Sequence, residues 1–354
     1  MRNLLTTLLA TTIFFVAPRP SGAVYPITPP APEFPAGAAW LNSEPFSLKR
    51  LSGRRVTLVA FLNPNALASL RALRALNRWW DEFGLEGLMI IGVHSPDFDF
   101  DRDPATVRHA LKRFSIRFPV FIDSSRVLWR AYANQGWPAF YLLDPRGRII
   151  HDQLGASPAR LEGEILGALE RFNGFKPPAG YEAASDPVRE GCGSASAPFY
   201  LGARRGRTVG QVREDVVQAI LKSRQGEVNA SGSWTLEPEG LRYGASENPE
   251  LGDRLQVLYE GGEALAVLTR LASRPVRLYV KQDNLWLHSG NANADIQWDA
   301  QERSYVQVDL PRLYYLTRNK KEGAHELNLL PAGKGVGVSG FEFPDLCQTD
   351  YDHK

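Results

Sequence analysis

The stretch from Val56 to Asn65 constrains this chain more than any other. VTLVAFL, residues 56–62, is an apolar, β-branched run that reads as a buried strand. Asn63-Pro64-Asn65 then breaks it. From Ala66 to Phe83, Leu70, Leu73, Leu76, Trp80 and Phe83 recur close to one helical stripe. A buried strand turning at once into a long amphipathic helix has one economical solution: the helix lies back on the sheet that holds the strand.

The alternation continues. Leu88 to Val93 (LMIIGV) predicts a second apolar strand. Asp103-Pro104 supplies an N-cap and a first-turn proline, with Val107, Ala110, Leu111 and Phe114 following at helical spacing. Phe118 to Ile122 predicts a short strand, and Ser124 to Gln135 a helix stopped by Gly136. Ala139 to Leu143 and Ile149 to Gln153 predict a hairpin around Asp144-Pro145-Arg146-Gly147. Ser157-Pro158 opens a last helix carrying Leu161, Ile165, Leu169 and Phe172. The pattern predicts an α/β domain over 36–174, with helices on both faces of one sheet.

Residues 175–197 are rich in Pro, Gly, Ala and Ser and read as a linker. After one helix at Val209 to Lys222 come many short apolar runs between Ser233 and Phe343, split by Gly, Pro and Asn. That spacing predicts an all-β sandwich, jelly-roll-like, over 198–346, with a tail at 347–354.

The N-terminus reads as a cleavable export signal over residues 1–23. Arg2 is followed by an apolar run from Leu4 to Ala17, too short to span a bilayer comfortably, and Ser21-Gly22-Ala23 puts small residues before Val24. An uncleaved anchor is the alternative. Residues 24–35 hold five prolines and read as an extended linker. Without residues 1–23 the chain carries 39 basic and 39 acidic groups. A neutral balance argues against a nucleic-acid partner. The expected location is periplasmic or secreted, and the mature chain is not expected to be an integral membrane protein.

Only two cysteines occur, Cys192 and Cys347. In an exported chain they read as a disulfide, and two inert buried thiols are the alternative. A bridge would close a loop of about 155 residues, worth roughly 5 kcal/mol in the chain-entropy picture.

Three segments carry a resemblance: Val93-His94-Ser95-Pro96-Asp97-Phe98-Asp99-Phe100, Asp103 to Arg108 with the helix after it, and Trp129 to Ala139, ending Gly136-Trp137-Pro138-Ala139. Together they resemble extracytoplasmic thioredoxin-like proteins of the redoxin and cytochrome c biogenesis type, over about residues 40–172. The resemblance implies an α/β thioredoxin-like fold and thiol-disulfide oxidoreductase activity. Members read roughly Phe-Trp-x-x-x-Cys-x-x-Cys-Leu-Arg at the strand-turn-helix segment. Here Phe61-Leu62 and Leu70-Arg71 match the two ends, so the cysteine positions fall on Ala66 and Ser69. Disulfide exchange needs a thiolate and a resolving thiol, and these residues supply neither. The peroxiredoxin pattern fails as well: counted from Pro64, its positions hold Ala68 and Arg71.

The resemblance makes Pro138 the cis-proline of this fold, beside the turn at Pro64. Pro64, Trp137 and Pro138 are therefore candidates for a polypeptide-binding groove. His94 reads as structural, for want of a cysteine or carboxylate partner. Asp97, Asp99, Asp101 and Asp103 read as a solvated loop with an N-cap rather than a calcium loop. No metal or cofactor is expected. In the second half the segments Gly232-Ser233-Trp234, Pro311 to Leu316 and Gly340 to Phe343 are similar to carbohydrate-binding modules, loosely and in architecture. Among the aromatics there, Trp286 and Trp298 are the candidate sugar-stacking platforms.

Three functions follow as alternatives: a non-catalytic exported protein that binds polypeptide, with a β-sandwich anchored to a glycan or a protein; an oxidoreductase served by Cys192 or Cys347; and a carbohydrate-binding protein.

Overall fold

The computed structural model describes residues 28–53, 55–186, 195–206 and 228–345. The expected export signal, the helix expected at Val209 to Lys222, Cys192 and Cys347 lie outside the described residues.

The first half is a thioredoxin-like α/β domain around a six-stranded sheet. Its strands are β1 (Trp40–Leu41), β2 (Val56–Leu62), β3 (Leu88–His94), β4 (Val120–Ile122), β5 (Ala139–Leu143) and β6 (Ile149–Leu154), in the order β1-β4-β3-β2-β5-β6. β2, β3 and β4 are parallel; β5, β6 and β1 add antiparallel edges. The helices are α1 (Leu48–Leu51), α2 (Leu67–Phe83), α3 (Pro104–Arg113), α4 (Val127–Ala131) and α5 (Pro158–Asn173). Alternation along β2 divides the core. Val56, Leu58, Ala60 and Leu62 face α2, α3 and α5, while Val59 and Phe61 face α1, α4 and the N-terminal segment.

Residues 28–35 and 175–186 of the two linker-like stretches are docked onto this domain. Phe34, 7% exposed, packs against Trp40, Phe46 and Phe121. Glu33 accepts the backbone N–H groups of Leu48 and Lys49 at the start of α1. Prolines make this segment extended, and one buried aromatic fixes where it lies. After α5, the Tyr181 hydroxyl and the Ala184 N–H both donate to Glu162, which is fully buried beside Trp79 and Arg78. Asp186 accepts from Ser157 and the Ala159 N–H at the start of α5.

The second half is all β, in one eleven-stranded antiparallel sheet. Its strands are β7 (Phe199–Tyr200), β8 (Val228–Ser231), β9 (Trp234–Glu237), β10 (Gly240–Tyr243), β11 (Arg254–Arg270), β12 (Val276–Gln282), β13 (Leu285–Trp286), β14 (Ile296–Trp298), β15 (Ser304–Val308), β16 (Arg312–Pro331) and β17 (Val336–Glu342). Gly261-Gly262 and the polar run 318–323 look like breaks in sequence. In the structure they lie opposite each other within β11 and β16, Gly261 against Gly323. Cross-strand pairing carries both strands through, and register shifts at 261–263 and 264–265 take up the irregularity.

Those two strands join the halves of the molecule. Beyond the bulge Ala264, Ala266 and Leu268 of β11, with Tyr314 and Leu316 of β16, face the core of the β domain. The alternate residues Leu265, Val267, Leu313 and Tyr315 face the other way, into one apolar cluster with Leu67, Leu70, Val107 and Leu111 of α2 and α3. Strands buried on both faces read as unbroken apolar runs, and ALAVL and LYYL are such runs. The β domain therefore packs on the end of the α/β domain where β2 turns into α2.

Candidate functional site

Side chains build the turn after β2. Asn63 Oδ1 accepts the Asn65 N–H (2.8 Å). The Asn63 and Asn65 amides donate to the two oxygens of Asp101, at 3.1 and 2.7 Å. Asp101 Oδ2 also accepts the N–H groups of Asp97 and Phe98. Asp101 is 1% exposed, so the acidic run 97–103 is not simply a solvated loop. One of its carboxyls is the keystone of the turn: four N–H donors converge on it, and they oppose but do not cancel the burial that raises its pKa. Asp103 is the N-cap of α3, as expected, accepting the Ala105 N–H (2.9 Å).

His94 ends β3. It is buried, with Nε2 2.9 Å from the Asp101 carbonyl oxygen, to which it donates. Burial pushes its pKa down against the pull of Asp101 and Asp123, so the ring is neutral near pH 7. It does have carboxylates nearby, contrary to the expectation. Next to it Asp123 accepts from Ser95 Oγ and from the Leu128 and Trp129 N–H groups at the start of α4.

Ala66 stands in extended conformation just before α2 and contributes no side-chain cap. Ser69 is 1% exposed, and its hydroxyl accepts the Asn63 N–H at 3.0 Å, tying helix to turn.

The β domain closes over this region. The Leu313 N–H donates to Asn65 Oδ1 (2.8 Å). The Leu67 N–H, the first of α2, donates to Glu342 Oε1 (2.9 Å). Arg113 of α3 reaches Asp295 Oδ2 (3.1 Å) and the Leu313 carbonyl (3.3 Å), with its guanidinium 5.0 Å from the Tyr315 ring centre. Asp295 also accepts from both terminal nitrogens of Arg312 and from the Tyr315 N–H. Burial alone would raise the Asp295 pKa; Arg312 and Arg113 outweigh it and hold the carboxyl below the usual range. On the opposite flank Arg205 pairs with Asp97 and lies over the rings of Phe98 and Tyr200, while Arg204 bridges Asp99 and Glu239.

The Trp137–Pro138 peptide is cis. Pro138 is buried, and Trp137 is half-buried against Trp129 (ring centres 4.5 Å apart). The Arg126 guanidinium lies 4.9 and 5.1 Å from the Trp129 and Trp137 ring centres. Pro64 lines a narrow cleft between the domains, with Asn65 and Arg113 on one side and Pro311 to Leu313 on the other.

Trp286 and Trp298 sit on β13 and β14, outside that cleft. Lys281 Nζ lies 4.4 Å from the Trp286 ring centre, so one face of that ring is occupied. Trp298 is 44% exposed, and its Nε1 donates to the Leu287 carbonyl (2.8 Å). Among the described residues no cluster of His, Cys, Asp or Glu could hold a metal ion, and no helix is long and apolar enough to cross a membrane.

Residues 27–152 match the AhpC/TSA family. The thiol-disulfide oxidoreductase YkuV of Bacillus subtilis is 30% identical over 132 residues, which are 37% of this chain and 88% of YkuV. The chain belongs to this thioredoxin-like redoxin family. Protein DipZ of Mycobacterium tuberculosis is 32% identical over 150 residues, 42% of this chain. The match spans only 21% of DipZ. A thioredoxin-like protein solved in its oxidized form is 30% identical, with a TM-score of 0.38, over 41% of this chain and 97% of that one. The family model ends at residue 152, short of the β domain.

The residues that connect the domains, Glu342, Asp295, Leu313 and Arg113, were not singled out from sequence. The runs ALAVL and LYYL carried the one available signal, burial on both faces. Nothing in Phe341-Glu342-Phe343 says that its glutamate meets a helix nearly three hundred residues earlier.

Proposed function

We propose that this redoxin is an exported, non-catalytic protein that binds extended polypeptide beside its cis-proline loop, with the β domain as a structural partner. The observation that carries the reading is chemical. The two positions where the resemblance puts thiols hold Ala66 and Ser69, and the Ser69 hydroxyl is committed to the Asn63 N–H. A hydroxyl held as an acceptor and far above neutral pH in acidity gives no nucleophile for disulfide exchange. Trp137, half-buried on Trp129 and beside Arg126, offers the apolar and cationic surface that an extended peptide would need. The export reading rests on the Leu4–Ala17 run and the small residues before Val24.

The test is an insulin-reduction assay on the mature protein, run beside titration of a fluorescent reduced, carboxymethylated polypeptide. Binding lost in Trp137→Ala, with no reduction, is the expected result. Reduction abolished by Cys192→Ser or Cys347→Ser would overturn it in favour of the oxidoreductase reading. A carbohydrate-binding role keeps one supporting observation, the Trp298 ring, exposed yet fixed through Nε1. Glycan-array binding that disappears in Trp298→Ala would establish that role.

A further inference from the structure

The start of α2 is an electropositive helix end. The Ser69 and Leu70 N–H groups turn back onto the Ala66 carbonyl, so the first N–H, that of Leu67, takes its partner from outside the helix. In thiol-bearing relatives a thiolate benefits from such a position. Here a carboxyl from the other domain occupies it. Glu342 is paired with Leu265 across β11 and β17, and Leu265 is paired with Tyr315 across β11 and β16. Leu265 and Tyr315 both face the α/β domain. Strand alternation therefore aims Glu342 at the same face, onto the Leu67 N–H (2.9 Å). Ala66, the residue before the helix, provides no cap of its own.

We propose that the Glu342 carboxyl is a latch: seated on the first N–H of α2, it holds the β domain closed over the α2 end of the α/β domain, and its release lets the two domains part there. The inference is independent of what the cis-proline groove binds.

The groups facing Glu342 decide how the latch responds to pH. From α2 there is Arg71; from the loop after β3 there is Asp97; from β7 there is Tyr200. Arg205 and Arg126 stand behind Asp97, Arg205 in direct contact with it and Arg126 at 4.0 Å. Burial is the largest influence and raises the Glu342 pKa to about 7, with Asp97 adding to it and the Leu67 N–H and Arg71 opposing. The sign follows. A carboxyl whose pKa is higher in the closed form than in the open form favours closure at low pH. That advantage is complete below the open-form value near 4.5 and is lost as pH rises through about 7. Between pH 5.5 and 8.5 the closed-to-open ratio should fall by about 30-fold.

Amide hydrogen exchange on the full mature protein tests this, reading a peptide that spans residues 63–73 and correcting for the intrinsic pH dependence. In the wild type, corrected exchange should rise by about 30-fold from pH 5.5 to 8.5. Glu342→Gln keeps the shape and the acceptor but does not titrate, so its corrected exchange should stay flat. Glu342→Ala should exchange faster than wild type at pH 5.5. A wild-type profile as flat as that of Glu342→Gln overturns the proposal. So does protection in Glu342→Ala equal to wild type at pH 5.5. If the alanine variant fails to fold, the comparison of wild type with Glu342→Gln decides alone.

Discussion

Leu313→Ala probes the packing between the domains most directly. Leu313 is 2% exposed and lies in the cluster that contains Leu67, Leu70, Val107 and Leu111. Truncation removes three carbons. At about 0.8 kcal/mol per buried methylene, the transfer loss alone is roughly 2.4 kcal/mol. A cavity cost adds to this when the walls cannot close in. Here they are pinned: the Leu313 N–H is held by Asn65, its carbonyl by Arg113 and Arg312, and neither bond uses the side chain being removed. The expected loss is therefore about 3 to 4 kcal/mol, in the middle of the range for buried leucines. Urea unfolding followed by far-ultraviolet circular dichroism measures it. Leu236→Ala, on the edge strand β9 and 47% exposed, is the control and should stay within about 0.5 kcal/mol of wild type. Hydrogen exchange should also show α2 and α3 losing protection, although the substitution is in the β domain. A cost for Leu313→Ala no larger than the control, or unchanged exchange in α2 and α3, would refute the shared core.

Two further outcomes are expected. Asp295→Asn should cost roughly 2 kcal/mol at pH 7, because it leaves Arg113 and Arg312 side by side without their carboxylate. The Asp295 pKa is lowered on folding, so its contribution is present above its ordinary value near 3.8 and disappears as pH falls through the folded value; acid unfolding curves of wild type and variant should converge there. Restoring both thiols as Ala66→Cys with Ser69→Cys should give weak insulin reduction, which adding Glu342→Ala should increase by clearing the α2 helix end that a thiolate needs. An inert but folded triple variant would mean that Ala66 and Ser69 do not stand where the thiols belong.

The α/β domain was legible because its signals are local. The strand at 56–62, the turn Asn63-Pro64-Asn65 and the helix that ends at Phe83 each follow from the spacing of neighbouring residues, and the structure has them within a residue. Asp103-Pro104 marked the start of α3 by capping chemistry alone. Sequence reading failed where pairing overrides local preference. The glycines at 261–262 and the charged run at 318–323 read as turns, yet facing strands carry them through. It also failed for Asp101, which resembles its exposed neighbours in every respect except the four donors that converge on it.

The sequence by itself determined the strand-turn-helix segment and the identities Ala66 and Ser69 within it. A short window of residues is enough to specify an element and its chemistry. Only the tertiary structure decided what lies over that segment. Glu342 reaches Leu67 because β17 pairs with β11, β11 with β16, and the outer face of those strands seats on α2 and α3. Each step is a long-range contact whose partner no local pattern names. The physical reason is that a helix end and a buried apolar face can each be satisfied by many partners, and the packing of the whole chain selects one.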